Sequence, residues 1–295
     1  MSIKEHEKKA IHNFLIHVTL PILGIAKVED RLEEALIGTG TLFKIIGRRF
    51  IVTANHTMDS FPIGDWLLPE GPRKGPTRPI VSGQAYRPTD KNADFSVIEL
   101  TDPNLIEVLE CNYRFLTLEN IWLPDLSADA IYVAGYPSLR TRREGKNLKG
   151  NLFVFKSQFR DDTPEGALNS EDAVTKGVDF FVRHRDGTNE LTGENVSREG
   201  LYGMSGCAVW GYRERGWTPH GWAEHDLWKA EAVMRVIGVQ SSFAENSYIR
   251  AKSWGGVLGL LGSVDEQMSA EVKRVAKKIL TLIGLPPPED EAEKA

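Results

Sequence analysis

The chain has 295 residues, 41% hydrophobic and 26% charged, the make-up of a globular protein large enough to bury a core. Its formal charge of -5 argues against a general nucleic-acid binder, which carries a basic surplus. Two cysteines, Cys111 and Cys207, are too few for a disulfide framework, and the simplest reading is two reduced thiols in a cytoplasmic protein. No apolar run reaches membrane-spanning length without polar breaks, and the run at 11–26 is interrupted by His12 and His17, unlike a signal peptide.

Residues 2–14 predict a short helix, with Ser2 as cap, Glu5 three residues later, and Ile3, Ala10, Ile11 and Phe14 on its apolar side. Residues 18–28 read as extended, with Pro21 marking an edge or a bend. Residues 35–46 and 50–54, rich in Ile, Val, Phe and Thr, flank the compact turn Gly47-Arg48-Arg49 as a hairpin. His56 stands at its far end, where a polar loop histidine would be ordinary. Residues 58–91 form a long proline-rich connection with one short strand around 79–86. Asp94 opens an alternating strand running to Leu100, and taken alone it is a turn aspartate bonding its own backbone.

Residues 105–111 are one helical turn or a loop, and 114–118 a strand. Strands also fit 130–137, ended by Gly135 and Pro137, and 152–158 and 178–183; residues 161–173 and 186–200 are polar loops. Two further strands, 206–210 and 232–240, enclose an insertion with Trp217, Trp222 and Trp228. These tryptophans either form a partner site or, the favoured reading, pack the loop onto the body. Residues 253–261 are glycine-rich, 264–283 show helical spacing at Val272, Val275, Ile279 and Ile283, and 285–295 read as a disordered tail. Many short strands with helices only at the ends predict a mainly all-β chain, an antiparallel barrel or sandwich protein.

The stretch Tyr202-Gly203-Met204-Ser205-Gly206-Cys207 stands out within this pattern. Glycines permit the backbone angles of a sharp turn, which can expose a serine hydroxyl while backbone N–H groups converge on one point. A turn serine that merely caps backbone groups is the bland alternative. His56, Asp94 and Ser205 each lie at the edge of a predicted strand, and their order is one of the known chain orders of a Ser-His-Asp triad. The α/β-hydrolase order is different, and that elbow needs glycine where Cys207 stands.

With these motifs the chain resembles the trypsin-like, chymotrypsin-fold serine peptidases. The matching stretches are Gly38-Thr39-Gly40, Thr53-Ala54-Asn55-His56, Ala93-Asp94-Phe95-Ser96-Val97-Ile98, Val133-Ala134-Gly135-Tyr136-Pro137 and Gly203-Met204-Ser205-Gly206, spread over residues 18–260. The resemblance implies two six-stranded antiparallel β-barrels, at about 18–120 and 121–262, with the active site between them. A helical extension at 1–17 would precede them, and a helix at 263–284 would follow.

It further implies a serine endopeptidase needing no metal or organic cofactor. Ser205 would be the nucleophile, His56 the base and Asp94 its orienting partner, with the backbone N–H groups of Gly203 and Ser205 as oxyanion hole. Glu199, Tyr202, Ser241, Ser242 and Phe243 would form the substrate wall, where Glu199 could favour a basic side chain. Met204 replaces the aspartate that pairs with a freshly cut N-terminus in digestive members, so zymogen cleavage is not expected. Loop ordering or a regulatory protein partner, in a bacterial setting, is expected in its place. Cys207 is expected to point into the core. The alternatives are a catalytically silent fold of this type used as a protein-binding module, an esterase with the same triad, and a β-rich structural protein with coincidental motifs.

Overall fold

The computed structural model describes residues 3–28, 31–124, 128–144, 147–168, 172–185, 187–193, 195, 200–217 and 228–282. Phe50-Ile51-Val52 is an unbroken apolar run because its strand, Arg48–Thr53, is buried on both faces. Ile51 joins a cluster with Leu42, Trp66, Leu68, Ile98 and Leu100, while Phe50 and Val52 join Phe43, Val97 and Trp254 on the opposite face. Alternate residues therefore enter two cores, as the two-residue period of a strand requires. The outer core also takes up both terminal helices.

Two antiparallel sheets result. The first runs, neighbour by neighbour, Gly83–Tyr86, Ser96–Leu100, Arg48–Thr53, Arg31–Ile45, Thr19–Val28, Trp66–Pro69, Lys74–Pro79, Asn147–Gly150 and Thr141–Glu144. The second runs Phe159–Arg160, Asp179–Arg183, Tyr248–Ser253, Met234–Ala244, Ala208–Tyr212, Ala130–Gly135, Phe153–Ser157 and Thr188–Asn189. The mainly β architecture with helices at both ends matches expectation and is consistent with a chymotrypsin-like double barrel. The sheets hold nine and eight strands, where the resemblance implies six each. The first gains two because the hairpin Thr141–Glu144 and Asn147–Gly150 crosses over and pairs with Lys74–Pro79.

Several boundaries differ from the sequence reading. The first helix spans Ile3–Val18, beyond the expected end at Phe14, because Ile11, Phe14, Leu15 and Val18 continue one buried stripe. The hairpin turn is Ile46-Gly47, with φ of 44° and 83°. Arg48 and Arg49 belong to the following strand, where Glu99 and Asp265 pair with Arg48 and Glu110 pairs with Arg49. Residues 58–91 hold three strands in place of one. Pro103–Asn112 is a helix, capped by Asp102, whose carboxylate accepts from Asn104 N at 2.9 Å. Residues 114–118 make a single bridge from Leu116 to Phe43 and no strand.

Tyr248–Ser253 is a strand that the sequence reading did not anticipate, and the glycine-rich segment after it is a helix, Trp254–Gly262, capped by Ser253. The last helix, Glu266–Leu282, buries Met268, Val275 and Ile279. Trp217 and Trp228 pack against the core, and the Trp217 indole donates to Val233 O at 2.8 Å. Trp222, Glu199 and residues 283–295 lie outside the described residues. Among the described residues no helix is long and apolar enough to cross a membrane.

Trp254 is fully buried, with its ring 4.6 Å from that of Phe43, and joins the helix Trp254–Gly262 to the first sheet. Trp254→Ala is expected to cost about 3–5 kcal/mol, read as a lower denaturant midpoint with the slope unchanged.

Candidate active site

The strand pairing brings His56 and Asp94 together. Arg48–Thr53 lies antiparallel to Ser96–Leu100 with Thr53 opposite Ser96. The residues just after the first strand and just before the second therefore meet at one end of the sheet. Asp94 holds His56 twice: Oδ2 lies 2.8 Å from the ring Nδ1, and Oδ1 accepts from the His56 backbone N–H at 2.9 Å. With Nδ1–H donating to the carboxylate, Nε2 is left as the acceptor. The loop is further tied by Asn55, whose Oδ1 accepts from Arg87 Nε at 2.5 Å and from Ser96 Oγ at 2.7 Å. Arg87 also pairs with Asp59.

Ser205 sits three residues before the strand Ala208–Tyr212, in a loop bent by two left-handed glycines, Gly203 at φ 91° and Gly206 at φ 87°. Among the described residues, the N–H groups of Gly203 and Ser205 donate to no protein acceptor. Those of Met204, Gly206 and Cys207 donate to the carbonyls of Leu201 (3.0 Å), Gln240 (2.8 Å) and Met204 (2.9 Å). The two N–H groups expected to form an anion hole are therefore unspent among the described residues. Met204 and Cys207 are fully buried, the latter as expected, and burial pushes the Cys207 thiol up.

Thr39 docks this loop on the first sheet. Its N–H donates to Ser205 O at 2.8 Å, and its hydroxyl donates to Gly203 O at 3.0 Å. That hydroxyl also accepts from Tyr136 N at 3.1 Å, and the Thr39 carbonyl accepts from Thr53 Oγ1 at 2.8 Å. The motifs containing Thr39, Thr53, Tyr136 and Ser205 thus converge on one buried residue.

A cleft of about 430 Å3 brings His56, Asp94 and Ser205 together with Tyr202, Ser241, Ser242 and Phe243. Glu199 is the predicted wall residue that lies outside the described residues. The Ser205 hydroxyl and the His56 ring share the cleft without a hydrogen bond between them, and such bonds are often long before substrate arrives. His56 has a raised pKa, chiefly through its hydrogen bond with Asp94; burial opposes this, and the charges of Asp94, Asp59 and Asp172 reinforce it. A separate cavity of about 570 Å3, beside the first helix, contains none of the predicted residues.

Sequence reasoning missed Asn55 and Arg87 as loop anchors. It also missed Arg250 and Lys252, which line the cleft from the unanticipated strand Tyr248–Ser253. The available signal was the alternation Arg250-Ala251-Lys252, which by itself reads as a solvated strand face.

No protein-family model and no curated protein sequence matches the chain. Among solved structures, similar chains include the serine protease domain of the Sesbania mosaic virus polyprotein, at 16% identity and TM-score 0.40, covering 80% of this chain and 89% of that one. Another, from work on the coupled folding and binding of the Sesbania mosaic virus VPg protein, has 16% identity, TM-score 0.41 and coverage of 80% and 87%. The scabies mite inactivated protease paralogue S-I1 has 13% identity, TM-score 0.47 and coverage of 87% and 97%.

A β-carbon on Gly206 would stand 2.1 Å from Thr53 Oγ1, 2.5 Å from Ala54 N and 2.5 Å from Thr39 O. Positive φ adds strain for any other residue. Gly206→Ala is expected to destabilise the fold by about 2 kcal/mol or more and to displace Ser205, seen as a lower melting temperature together with faster hydrogen exchange of the Thr39 N–H that bonds Ser205 O.

Proposed function

We propose that the chain is a serine endopeptidase acting through an acyl-enzyme. The observation that carries this reading is the double hold of Asp94 on His56 in the cleft that also contains Ser205. Ser205 Oγ attacks the scissile carbonyl as His56 Nε2 takes its proton. The new C–O bond places negative charge on the former carbonyl oxygen, which the N–H groups of Gly203 and Ser205 receive. Collapse breaks the C–N bond, and His56 passes its proton to the departing amine. Water, deprotonated by the same ring, then hydrolyses the ester and frees Ser205. Asp94 fixes the tautomer and stabilises the imidazolium throughout. An esterase would use the same steps with an alcohol as leaving group.

Burial of Met204 supports activation without a new N-terminus, because an aspartate there would need a buried countercharge. A second reading, a silent fold serving as a protein-binding module, shares the cleft and leaves Ser205 and His56 unbonded with substrate present.

A fluorophosphonate probe decides between them. Wild type should be labelled and Ser205→Ala should not, with circular dichroism unchanged; equal labelling of both excludes Ser205, and labelling of neither favours the silent fold. The base must be neutral to accept a proton, and Asp94 raises its pKa. The kcat/KM profile should therefore fall as pH drops and be half-maximal above pH about 6.5, the ordinary histidine value. Asp94→Asn should lower that midpoint and reduce kcat by about 10⁴-fold. A wild-type midpoint below the ordinary value would count against His56 as the base.

A further inference from the structure

We propose that the cleft selects a substrate segment bearing a carboxylate side chain, Glu or Asp, bound by Lys252 with Arg250 behind it; this rests on the cleft being the substrate site. The strand Tyr248–Ser253 lies between Asp179–Arg183 and Met234–Ala244. Its register sets Lys252 opposite Asp179, and Arg250 opposite both Phe181 and Ser242. Arg250 and Lys252 are two residues apart, so they share one face of the sheet with Ser242, a residue of the cleft wall.

These two cations are 2% and 1% exposed, and the Asp179 carboxylate between them is completely buried. Every nitrogen of the Arg250 guanidinium is engaged. Its Nε and Nη2 donate to Asp179 Oδ1 and Oδ2 at 2.8 and 2.9 Å, and its Nη1 and Nη2 donate to the carbonyls of Asp172 and Ala173 at 2.9 and 2.7 Å. Lys252 is different. Its Nζ makes one contact, an ion pair with Asp179 Oδ1 at 2.7 Å, and its other ammonium donors have no acceptor among the described residues. Burial alone would raise the Asp179 carboxyl, but Arg250 and Lys252 outweigh it and hold that carboxyl low.

One carboxylate thus faces two buried cations. The Arg250–Asp179 pair is neutral by itself, and among the buried described residues Lys252 leaves a surplus of one positive charge in the wall of the cleft. A buried charge in excess is costly, and an incoming carboxylate both neutralises it and offers an acceptor to the remaining ammonium donors. Of the other described charges lining the cleft, Asp94 is committed to His56 and Asp59 to Arg87, Lys91 is exposed, and Asp172, exposed on the rim, acts on Arg250 and His56. Because Ser205 and Lys252 share one cavity, the acidic residue falls within about three positions of the scissile bond, at roughly 3.3 Å per extended residue. The preference is opposite to the one that Glu199 alone would suggest.

Fluorescent heptapeptides with Glu, Gln or Lys placed at each position in turn, bound to Ser205→Ala and followed by anisotropy, test this. At one position Glu should bind more tightly than Gln by about tenfold or more, with Lys weaker still. Lys252→Met in the same background should bring Glu and Gln to within about twofold, since it removes the surplus charge and leaves the neutral Arg250–Asp179 pair to hold the fold. Equal binding of Glu and Gln peptides at every position, or no Glu-dependent binding at all, overturns the proposal whether or not Lys252→Met folds. Fluorophosphonate labelling of wild type separates the two readings. Labelling without a Glu preference keeps the hydrolase and removes the subsite; a Glu preference without labelling keeps the subsite and removes the hydrolase.

Discussion

Thr39 spends its N–H and hydroxyl on joining the two sheets and its carbonyl on Thr53 of its own sheet. It sits fully buried in Arg31–Ile45, and its N–H, hydroxyl and carbonyl engage Ser205, Gly203, Tyr136 and Thr53. Buried polar groups left unpaired cost about 1–3 kcal/mol each, so the sheets can meet in only a narrow range of registers. In this one the end of Arg48–Thr53, which leads to His56, faces the loop that carries Ser205. The left-handed glycines serve the same junction. Gly206 passes so close to Thr39 and Thr53 that no side chain fits, and Gly203 turns the chain with its N–H donating to no acceptor among the described residues.

Two ion systems then give the cleft its chemical character, and their surroundings make them behave differently. The His56 side chain is 46% exposed and that of Asp94 is 19% exposed, so solvent reaches the pair and the ring can exchange protons. Asp179, Arg250 and Lys252 are sealed among strands, where charge cannot be screened and must be balanced by neighbours. The first system suits proton transfer. The second is the group on which the proposed recognition of a carboxylate rests.

The helices stabilise this arrangement from outside. Ile3–Val18, Trp254–Gly262 and Glu266–Leu282 cover the outer face of the first sheet and part of the second with Phe14, Trp254, Val257, Met268 and Val275. Arg48 adds a polar tie, reaching both Glu99 in the sheet and Asp265 before the last helix at 2.5 Å. A sheet buried on both faces cannot slip by one residue without exposing one core and disrupting the other. The positions of His56 and Asp94 at its end are held accordingly.

Much of this was legible in local pattern. Runs of β-branched and aromatic residues marked the hairpin around Gly47, the strands after Asp94 and before Pro137, and the one following Ser205, since strand preference and turn chemistry act within a few residues. The glycines around Ser205 signalled a sharp turn for the same reason, and the order of His56, Asp94 and Ser205 suggested a shared site. Local pattern failed at Tyr248–Ser253, where Arg250 and Lys252 look solvated until Asp179, some seventy residues away in the chain, is seen to neutralise part of their charge. It failed likewise at Asn55 and Arg87, whose partners stand far from them in the chain. The sequence by itself determined which segments could be strands and where the chain could turn, because those choices are made by neighbouring residues through sterics and short-range hydrogen bonds. Only the tertiary structure decided that Thr53 stands opposite Ser96, that Thr39 holds the Ser205 loop, and that two cations line the cleft. Those pairings join residues far apart in the chain, and burial and charge balance select them only once the two sheets have closed on each other.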